Sequence, residues 1–219
     1  TMGSGFDWME APGSDYNDWI FSDDHVSYLL DRPIVEEPGA LFNYNSAAVH
    51  LLGLVIEEAV GQPLPAYANA VLFSPLGIEQ VEWEELTSRG VNGGSGIDLR
   101  PLDLARIGLL FAQEGQSGEA ALVSMDWIDE ATDARWPQLG TYNRIKNLSY
   151  GYLWWIDRTH GAYLAWGYGG QFMYVDPDAD LVVVATTDWV GVSQDIGPRA
   201  LQSQVIDIIL GRIVPAVPQ

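Results

Sequence analysis

Tyr44 is placed where a phenol could take part in proton transfer. It stands in the polar run Asn-Tyr-Asn-Ser at residues 43–46, directly before a segment whose apolar residues recur at helical spacing. The unsatisfied N–H groups at a helix N-terminus favour negative charge, so a phenol there would give up its proton more readily. This stretch alone favours a simpler interpretation, in which Tyr44 is a half-buried side chain that braces the bend before the helix.

The glycine-rich sequence WGYGGQ at residues 166–171 is the second candidate. It separates two short apolar runs typical of strands, and a tight connection between strands often needs glycine. Glycine also allows a substrate to approach a strand edge, where backbone N–H groups can stabilise an oxyanion. The residues that would bind a substrate there are Tyr168, Gly169, Gly170 and Gln171.

Other catalytic patterns are absent from the sequence. There is no cysteine, which excludes thiol catalysis, disulfides and zinc–thiolate sites. The three histidines lack metal-ligand spacing, and we predict structural or surface roles for them. A G-x-S-x-G motif fails at Ile97, and the dinucleotide-binding motif G-x-G-x-x-G fails at Phe172.

The two candidate stretches resemble motifs of the serine β-lactamase and penicillin-binding-protein superfamily. The sequence FNYNS at residues 42–46, followed by LLG at 51–53, looks like its second motif, in which a tyrosine helps take the proton from a nucleophilic serine. Serine rather than asparagine at position 46 fits the esterase and amidase branch, which includes class C-like β-lactamases and 6-aminohexanoate-dimer hydrolases. The resemblance extends over essentially the whole chain. It includes the N-terminal TMGSGFDW, the PLGI at 75–78 and the order of YGYLWW, GGQ, VDP and LVVV.

This resemblance implies an acyl-enzyme reaction on an ester or amide. Tyr44 would help to manage the proton, a backbone N–H within residues 169–171 would bind the oxyanion, and Ser46 would contact the substrate. Gly167-Tyr168-Gly169 replaces the family's third motif, Lys-Thr-Gly or His-Thr-Gly, so the usual partner of a β-lactam carboxylate is missing. The implied mechanism needs no cofactor and no metal.

The family's nucleophile is not found in these residues. It is the serine of Ser-x-x-Lys, but Lys146 is the only lysine and Asn143 stands three positions before it. We therefore expect the C-terminal portion of a hydrolase, inactive alone, whose partners are a small ester or amide and either the missing N-terminal segment or a second copy of the chain. The alternatives are a non-catalytic binding or structural protein of the same fold and, on the nine tryptophans alone, a carbohydrate-binding module.

Periodicity predicts the elements that must position these residues. The helix after Tyr44 has Asn45 or Ser46 as its cap, ends at Gly61, and repeats apolar residues at 48, 51, 52, 55, 56 and 59. Further helices are predicted over residues 63–72, 101–113, 124–131 and 199–210. Short strands are predicted over residues 152–156, 162–166, 172–175 and 181–186.

These elements predict an α/β (α+β) fold of the β-lactamase/transpeptidase type, with an antiparallel sheet flanked by helices and its N-terminal strands missing. The whole chain, 1–219, would be one domain, mainly helix and loop up to residue 149 and strands with a C-terminal helix from residue 150. The last strand is apolar on both faces and is expected to be central. We expect Trp127 in the core. Trp8 and Trp19 could line a cleft, but packing on a loop-rich surface is the favoured expectation.

Charge narrows the range of partners. Ten basic and thirty acidic residues give a net charge of −20, which argues against nucleic acid and anionic membranes. No run of eighteen apolar residues is present, which argues against a membrane-spanning segment. Acid-rich, lysine-poor composition is typical of proteins from high salt, and an ordinary acidic secreted protein is the alternative. The chain begins at Thr1 with no signal peptide, which is typical of a piece of a longer protein. The native location is therefore left open, with a soluble, periplasmic or secreted protein as the alternatives.

Overall fold

The computed structural model describes residues 1–11, 14–88, 90–192 and 196–217. The chain divides into two compact units, Thr1–Leu99 and Arg100–Gln219.

The first unit combines helices with a short antiparallel ribbon. Its helices are α1 (Asp15–Ile20), α2 (His25–Leu30), α3 (Ser46–Val60) and α4 (Leu64–Ala68), which runs on as a π-helical turn, Asn69–Phe73. The ribbon pairs β1 (Val81–Trp83) with β2 (Ile97–Leu99).

Helix α3 begins and ends where the sequence predicts. The extended residue Asn45 is its N-cap, and its side-chain oxygen accepts a hydrogen bond of 2.9 Å from the N–H of Ala48. Gly61 ends the helix in the left-handed conformation, at φ 70°, and its N–H donates to the carbonyl of Glu57. The local signals for capping were therefore sufficient.

The buried face of α3 differs from the predicted apolar repeat. Leu52 and Val55 are 48% and 62% exposed, while the small residues Ser46 and Gly53 are buried with His50. The glycine-rich loop at residues 92–94 crosses this face so closely that a Cβ on Gly94 would stand 2.2 Å from the carbonyl oxygen of Ser46. Close backbone approach, which only small side chains permit, decides the orientation of the helix.

Trp8 and Trp19 form the core of the first unit, and the expectation that they pack on a loop-rich surface is wrong. They are 5% and 0% exposed. Their indole N–H groups are satisfied inside the unit, since Trp8 donates to Glu10 over 2.6 Å and Trp19 to the carbonyl of His25 over 3.0 Å. A tryptophan can be buried completely when its polar atom finds such a partner.

The second unit contains an antiparallel sheet flanked by helices. Along the described residues its strands follow the order β10-β9-β8-β7-β6-β5. These are β5 (Trp136–Tyr142), β6 (Ile145–Tyr150), β7 (Trp155–Asp157), β8 (Ala162–Gly167), β9 (Gln171–Asp176) and β10 (Leu181–Ala185), preceded by the ribbon β3 (Gln116–Ser117) and β4 (Ala120–Ala121). The helices are α5 (Pro101–Ala112), α6 (Met125–Thr132), α7 (Trp189–Val192) and α8 (Pro198–Ile208), which continues as Ile209–Ile213 and Val214–Ala216.

Helices cover both faces of this sheet. On one face Met173 and Val175 pack with α5, where a Cβ on Gly108 would stand 2.7 Å from a methyl of Val182. On the other face Phe172 and Tyr174 pack against the C-terminal helical segment. This arrangement confirms the predicted fold class of mixed helices and antiparallel sheet.

The sheet begins earlier than predicted, because the β5–β6 hairpin was not recognised. Strand β5 contains Pro137 and Gly140, its pairing with β6 shifts register, and Gln138 has a positive φ of 59°. Such a bulged strand does not alternate regularly between apolar and polar residues. The start of this sheet, predicted at residue 150, is therefore corrected to Trp136, and the two short ribbons that precede it were not predicted either.

Two further expectations in this unit are also corrected, one about the position of a strand in the sheet and one about the burial of a side chain. Strand β10 stands at an edge of the sheet among the described residues, not at its centre. Trp127 is 50% exposed rather than part of the core, and its ring lies 5.6 Å from that of Tyr152. Apolar composition alone did not distinguish a central strand from an edge strand.

Within the described ranges no single helix is long and apolar enough to cross a membrane, and the pair Ser46–Val60 and Leu64–Phe73, bent by 74°, reaches that length and hydropathy only when joined.

Candidate active site

The bend that carries Tyr44 is held by the N-terminal segment of the chain. The backbone N–H of Asn43 donates to the carbonyl of Met2 over 2.8 Å, and its side-chain amide donates to the carbonyl of Trp8 over 2.9 Å. The N–H of Asn45 reaches the Met2 sulfur at 3.4 Å. Tyr44 therefore lies, partly buried, between two anchored residues and directly before the N-terminus of α3.

Ser46 uses its hydroxyl inside the first unit. The hydroxyl donates to one carboxylate oxygen of Glu10, and the Ser46 N–H donates to the other over 3.1 Å. Trp8 donates to that second oxygen. A carboxylate at this position is favourable because it faces the N-terminus of α3.

Sequence reasoning missed Glu10, which organises the start of α3. It stands 36 positions before Ser46, so no local pattern connects the two residues. The available signal was the similarity of TMGSGFDW to a family segment, because that segment ends two residues before Glu10. The role of Ser46 as a substrate contact stays a prediction.

The glycine-rich stretch forms the turn between β8 and β9. Gly167 and Gln171 are paired across the ladder, and Gly169 and Gly170 have φ angles of 77° and 106°. These are conformations that glycine adopts without strain. The structure therefore brings Tyr168, Gly169, Gly170 and Gln171 together in one tight connection of the second unit.

The side chain of Gln171 is part of a clamp that includes Thr187. Its amide donates to the Thr187 carbonyl over 2.9 Å and accepts from the Thr187 N–H over 3.1 Å. The Thr187 hydroxyl donates to the carbonyl of Gly169 over 2.7 Å, and Gln202 donates to the carbonyl of Gly167 over 3.1 Å. The turn is consequently tied to the segment after β10 and to α8.

Trp189, which follows the clamp, lies against the backbone of the turn. A Cβ on Gly169 would stand 2.4 Å from the indole Cγ, so the contact requires glycine. The ring of Trp189 is perpendicular to that of Tyr168, with centroids 5.1 Å apart. Neither Thr187 nor Trp189 was predicted from the sequence, and their position just after β10, the neighbour of β9, is the signal that could have indicated them.

The histidines take structural positions. His25 and His50 are each 1% exposed and pack on Trp19 in the first unit. His160 bonds the buried carboxylate of Asp157 over 2.6 Å in the second. Among the residues that the structure describes, no cluster of three or more histidine or carboxylate side chains could hold a metal ion.

Most of the chain matches a known protein family. Residues 1–205 match the family model described as Beta-lactamase. The chain belongs to the beta-lactamase family. This result confirms the superfamily inferred from the FNYNS and WGYGGQ stretches.

Individual relatives point to hydrolases of the same family. The chain is 34% identical over 88 residues to Esterase EstB of Burkholderia gladioli. This match covers 36% of this chain and 22% of EstB. It is 25% identical over 165 residues to the 6-aminohexanoate-dimer hydrolase of Paenarthrobacter ureafaciens, covering 68% of this chain and 39% of that enzyme. The matches thus span well under two thirds of the length of either of these two relatives.

A solved structure shares the fold. EstCE1, a hydrolase with promiscuous acyltransferase activity, superimposes with a TM-score of 0.69 over 93% of this chain and 70% of its own, at 16% identity. At that identity the likeness concerns the fold alone.

Proposed function

We propose that the chain is part of a serine hydrolase that cleaves an ester or amide through an acyl-enzyme. The observation that carries the proposal is the anchored bend, in which Tyr44 is held between bonded neighbours ahead of a capped helix. Family membership and the similarity to an esterase and to a 6-aminohexanoate-dimer hydrolase support the same reaction class.

The proposed reaction needs a serine and a lysine from outside residues 1–219. The serine oxygen attacks the carbonyl carbon, its proton passes to the basic pair of Tyr44 and that lysine, and a backbone N–H within residues 169–171 binds the oxyanion. The carbonyl re-forms as the bond to the alcohol or amine breaks, and the leaving group takes the proton. Water then releases the acid by the same two steps and restores the serine.

Activity measurements with and without the missing segment test this proposal. Residues 1–219 alone should not hydrolyse p-nitrophenyl acetate above a denatured control. Combined with the N-terminal segment that carries Ser-x-x-Lys, they should gain esterase activity and form an acyl adduct on that segment, detectable by mass spectrometry. An adduct on any serine of residues 1–219 would overturn the proposed division of roles.

Substitution of Tyr44 tests its role in that complex. Tyr44→Phe should lower kcat by about 10²–10⁴-fold, the usual contribution of positioned acid–base catalysis, with little change in KM. Tyr67→Phe is the matched control, because Tyr67 is another partly buried tyrosine of the same unit. Full activity of Tyr44→Phe would make Tyr44 a packing residue.

A non-catalytic binding protein is the second candidate. It is favoured by the absence of Ser-x-x-Lys from residues 1–219 and by the engagement of both Ser46 and Gln171 in internal hydrogen bonds. An upstream coding sequence without Ser-x-x-Lys, together with no acyl adduct, would favour this candidate.

A further inference from the structure

We propose that Tyr168 and Trp189 form an aromatic wall that selects an uncharged, apolar substrate. The inference rests on the proposed function, because it names the substrate class for the same turn. The substrate would be an ester or amide with an aromatic or branched alkyl group beside the scissile carbonyl and without a carboxylate.

The first step is the exposure of the two rings. Tyr168 is 45% exposed and Trp189 36% exposed, yet the rings contact each other edge to face. Their free surfaces lie at the turn where the oxyanion-binding N–H groups are proposed. An apolar group placed there would be removed from water by both rings, and aromatic side chains provide large contact areas for such binding.

The second step is that the wall is held in place before a substrate arrives. Thr187 is bonded through its backbone to Gln171 and through its hydroxyl to Gly169. Two residues later, the indole of Trp189 rests on Gly169, which has no side chain to displace it. Binding to a pre-positioned surface avoids the entropic cost of ordering it.

The third step is charge. Neither the turn at residues 167–171 nor the segment at residues 187–190 contains a basic residue. Asp188 is exposed beside Trp189, and its carboxylate accepts the N–H of Gly191 over 3.0 Å. A substrate carboxylate at the wall would meet the negative charge of Asp188, so a neutral substrate is favoured.

Saturation-transfer NMR with residues 1–219 tests the wall without requiring catalysis. The neutral probe is N-methyl-2-phenylacetamide, and phenylacetate is the matched anion with the same ring. We expect saturation of the amide's ring protons and weaker transfer to phenylacetate. Trp189→Ala should lower affinity for the amide about tenfold, since the larger half of the wall is lost.

A matched variant removes an aromatic surface elsewhere in the same unit. Trp127 is 50% exposed and contacts Tyr152, with ring centroids 5.6 Å apart and an angle of 37° between the ring planes. Trp127→Ala should leave affinity for the amide unchanged, and Trp189→Phe should retain most of it. If Trp189→Ala fails to fold, as judged by circular dichroism, Tyr168→Ala replaces it. We expect this variant to lower affinity for the amide several-fold.

Three results would each overturn the wall. They are no saturation transfer to the amide, equal or stronger binding of phenylacetate, and an equal loss in Trp127→Ala and Trp189→Ala. The proposed function is tested separately by the acyl adduct. Binding of the amide without an acyl adduct would support the aromatic wall and contradict the proposed hydrolase activity. An acyl adduct without binding of the amide would support the hydrolase activity and contradict the wall.

Discussion

The hydroxyl of Thr187 donates a hydrogen bond of 2.7 Å to the carbonyl oxygen of Gly169. In a trans peptide the carbonyl and the following N–H point in opposite directions, so this bond also orients the N–H of Gly170. That N–H is directed back into the turn, 3.5 Å from the carbonyl of Gly167. Thr187 therefore fixes the orientation of the peptide group between Gly169 and Gly170 in the glycine-rich turn.

Removing this hydroxyl should loosen the turn. We expect Thr187→Val, which has nearly the same shape, to lower the free energy of unfolding by about 1 kcal/mol, the usual net value of one hydrogen bond. In the complex with the N-terminal segment it should lower kcat more than it raises KM. Urea denaturation and steady-state kinetics measure these two effects.

Thr187→Ser keeps the hydroxyl and is the control for this variant. It should retain both stability and kcat. If the valine and serine variants behave alike, the hydrogen bond to Gly169 does not position the turn.

Ser46 should act on stability through Glu10. Ser46→Ala removes the hydroxyl that the partly buried carboxylate accepts, and we expect a loss of about 1–2 kcal/mol in the free energy of unfolding. The exposed residue Ser74 supplies the control, because Ser74→Ala removes a hydroxyl from the surface of the same unit. Unchanged stability of Ser46→Ala, with a raised KM in the complex, would instead favour a substrate contact.

Acid should destabilise the first unit through His50. Burial lowers the pKa of His50 from its ordinary value of 6.5, and the nearby His25 lowers it further, against the opposing influence of Glu57. The unfolded state consequently binds a proton more readily, so stability is complete above about pH 6.5 and falls as the pH decreases below it.

Denaturation at pH 7.5 and pH 5 measures this dependence. His50→Gln should reduce the loss of stability between the two values, even if it lowers stability at both. His160→Gln is the control, since His160 lies in the second unit. Equal pH dependence in wild type and His50→Gln would exclude His50 as the source.

Salt should stabilise the protein. The net charge is −20, and the excess acidic side chains repel one another. Salt screens this repulsion, because the Debye length falls from about 10 Å at 0.1 M to about 3 Å at 1 M. Thermal unfolding in increasing potassium chloride should show a rising midpoint, with sucrose of equal osmolality as the control. A flat or falling midpoint would contradict the interpretation of the composition as one adapted to high salt.

The sequence determined the features that depend on neighbours in the chain. Asn45 and Gly61 bound α3 because capping uses groups within one helical turn. The strands flanking the WGYGGQ turn were recognised because strand alternation and glycine turns are local signals. The order of these motifs also identified the superfamily, which the family match confirmed.

Only the tertiary structure decided which side chains serve each element. The sequence could not show that Glu10 binds Ser46, or that Thr187 and Trp189 hold the turn, because those contacts join positions far apart in the chain. The apolar residues Leu52, Val55 and Trp127 are exposed for the same reason. Whether an apolar side chain is buried depends on which segment packs against it, and along α3 the close backbone contacts at Gly93 and Gly94 made that choice.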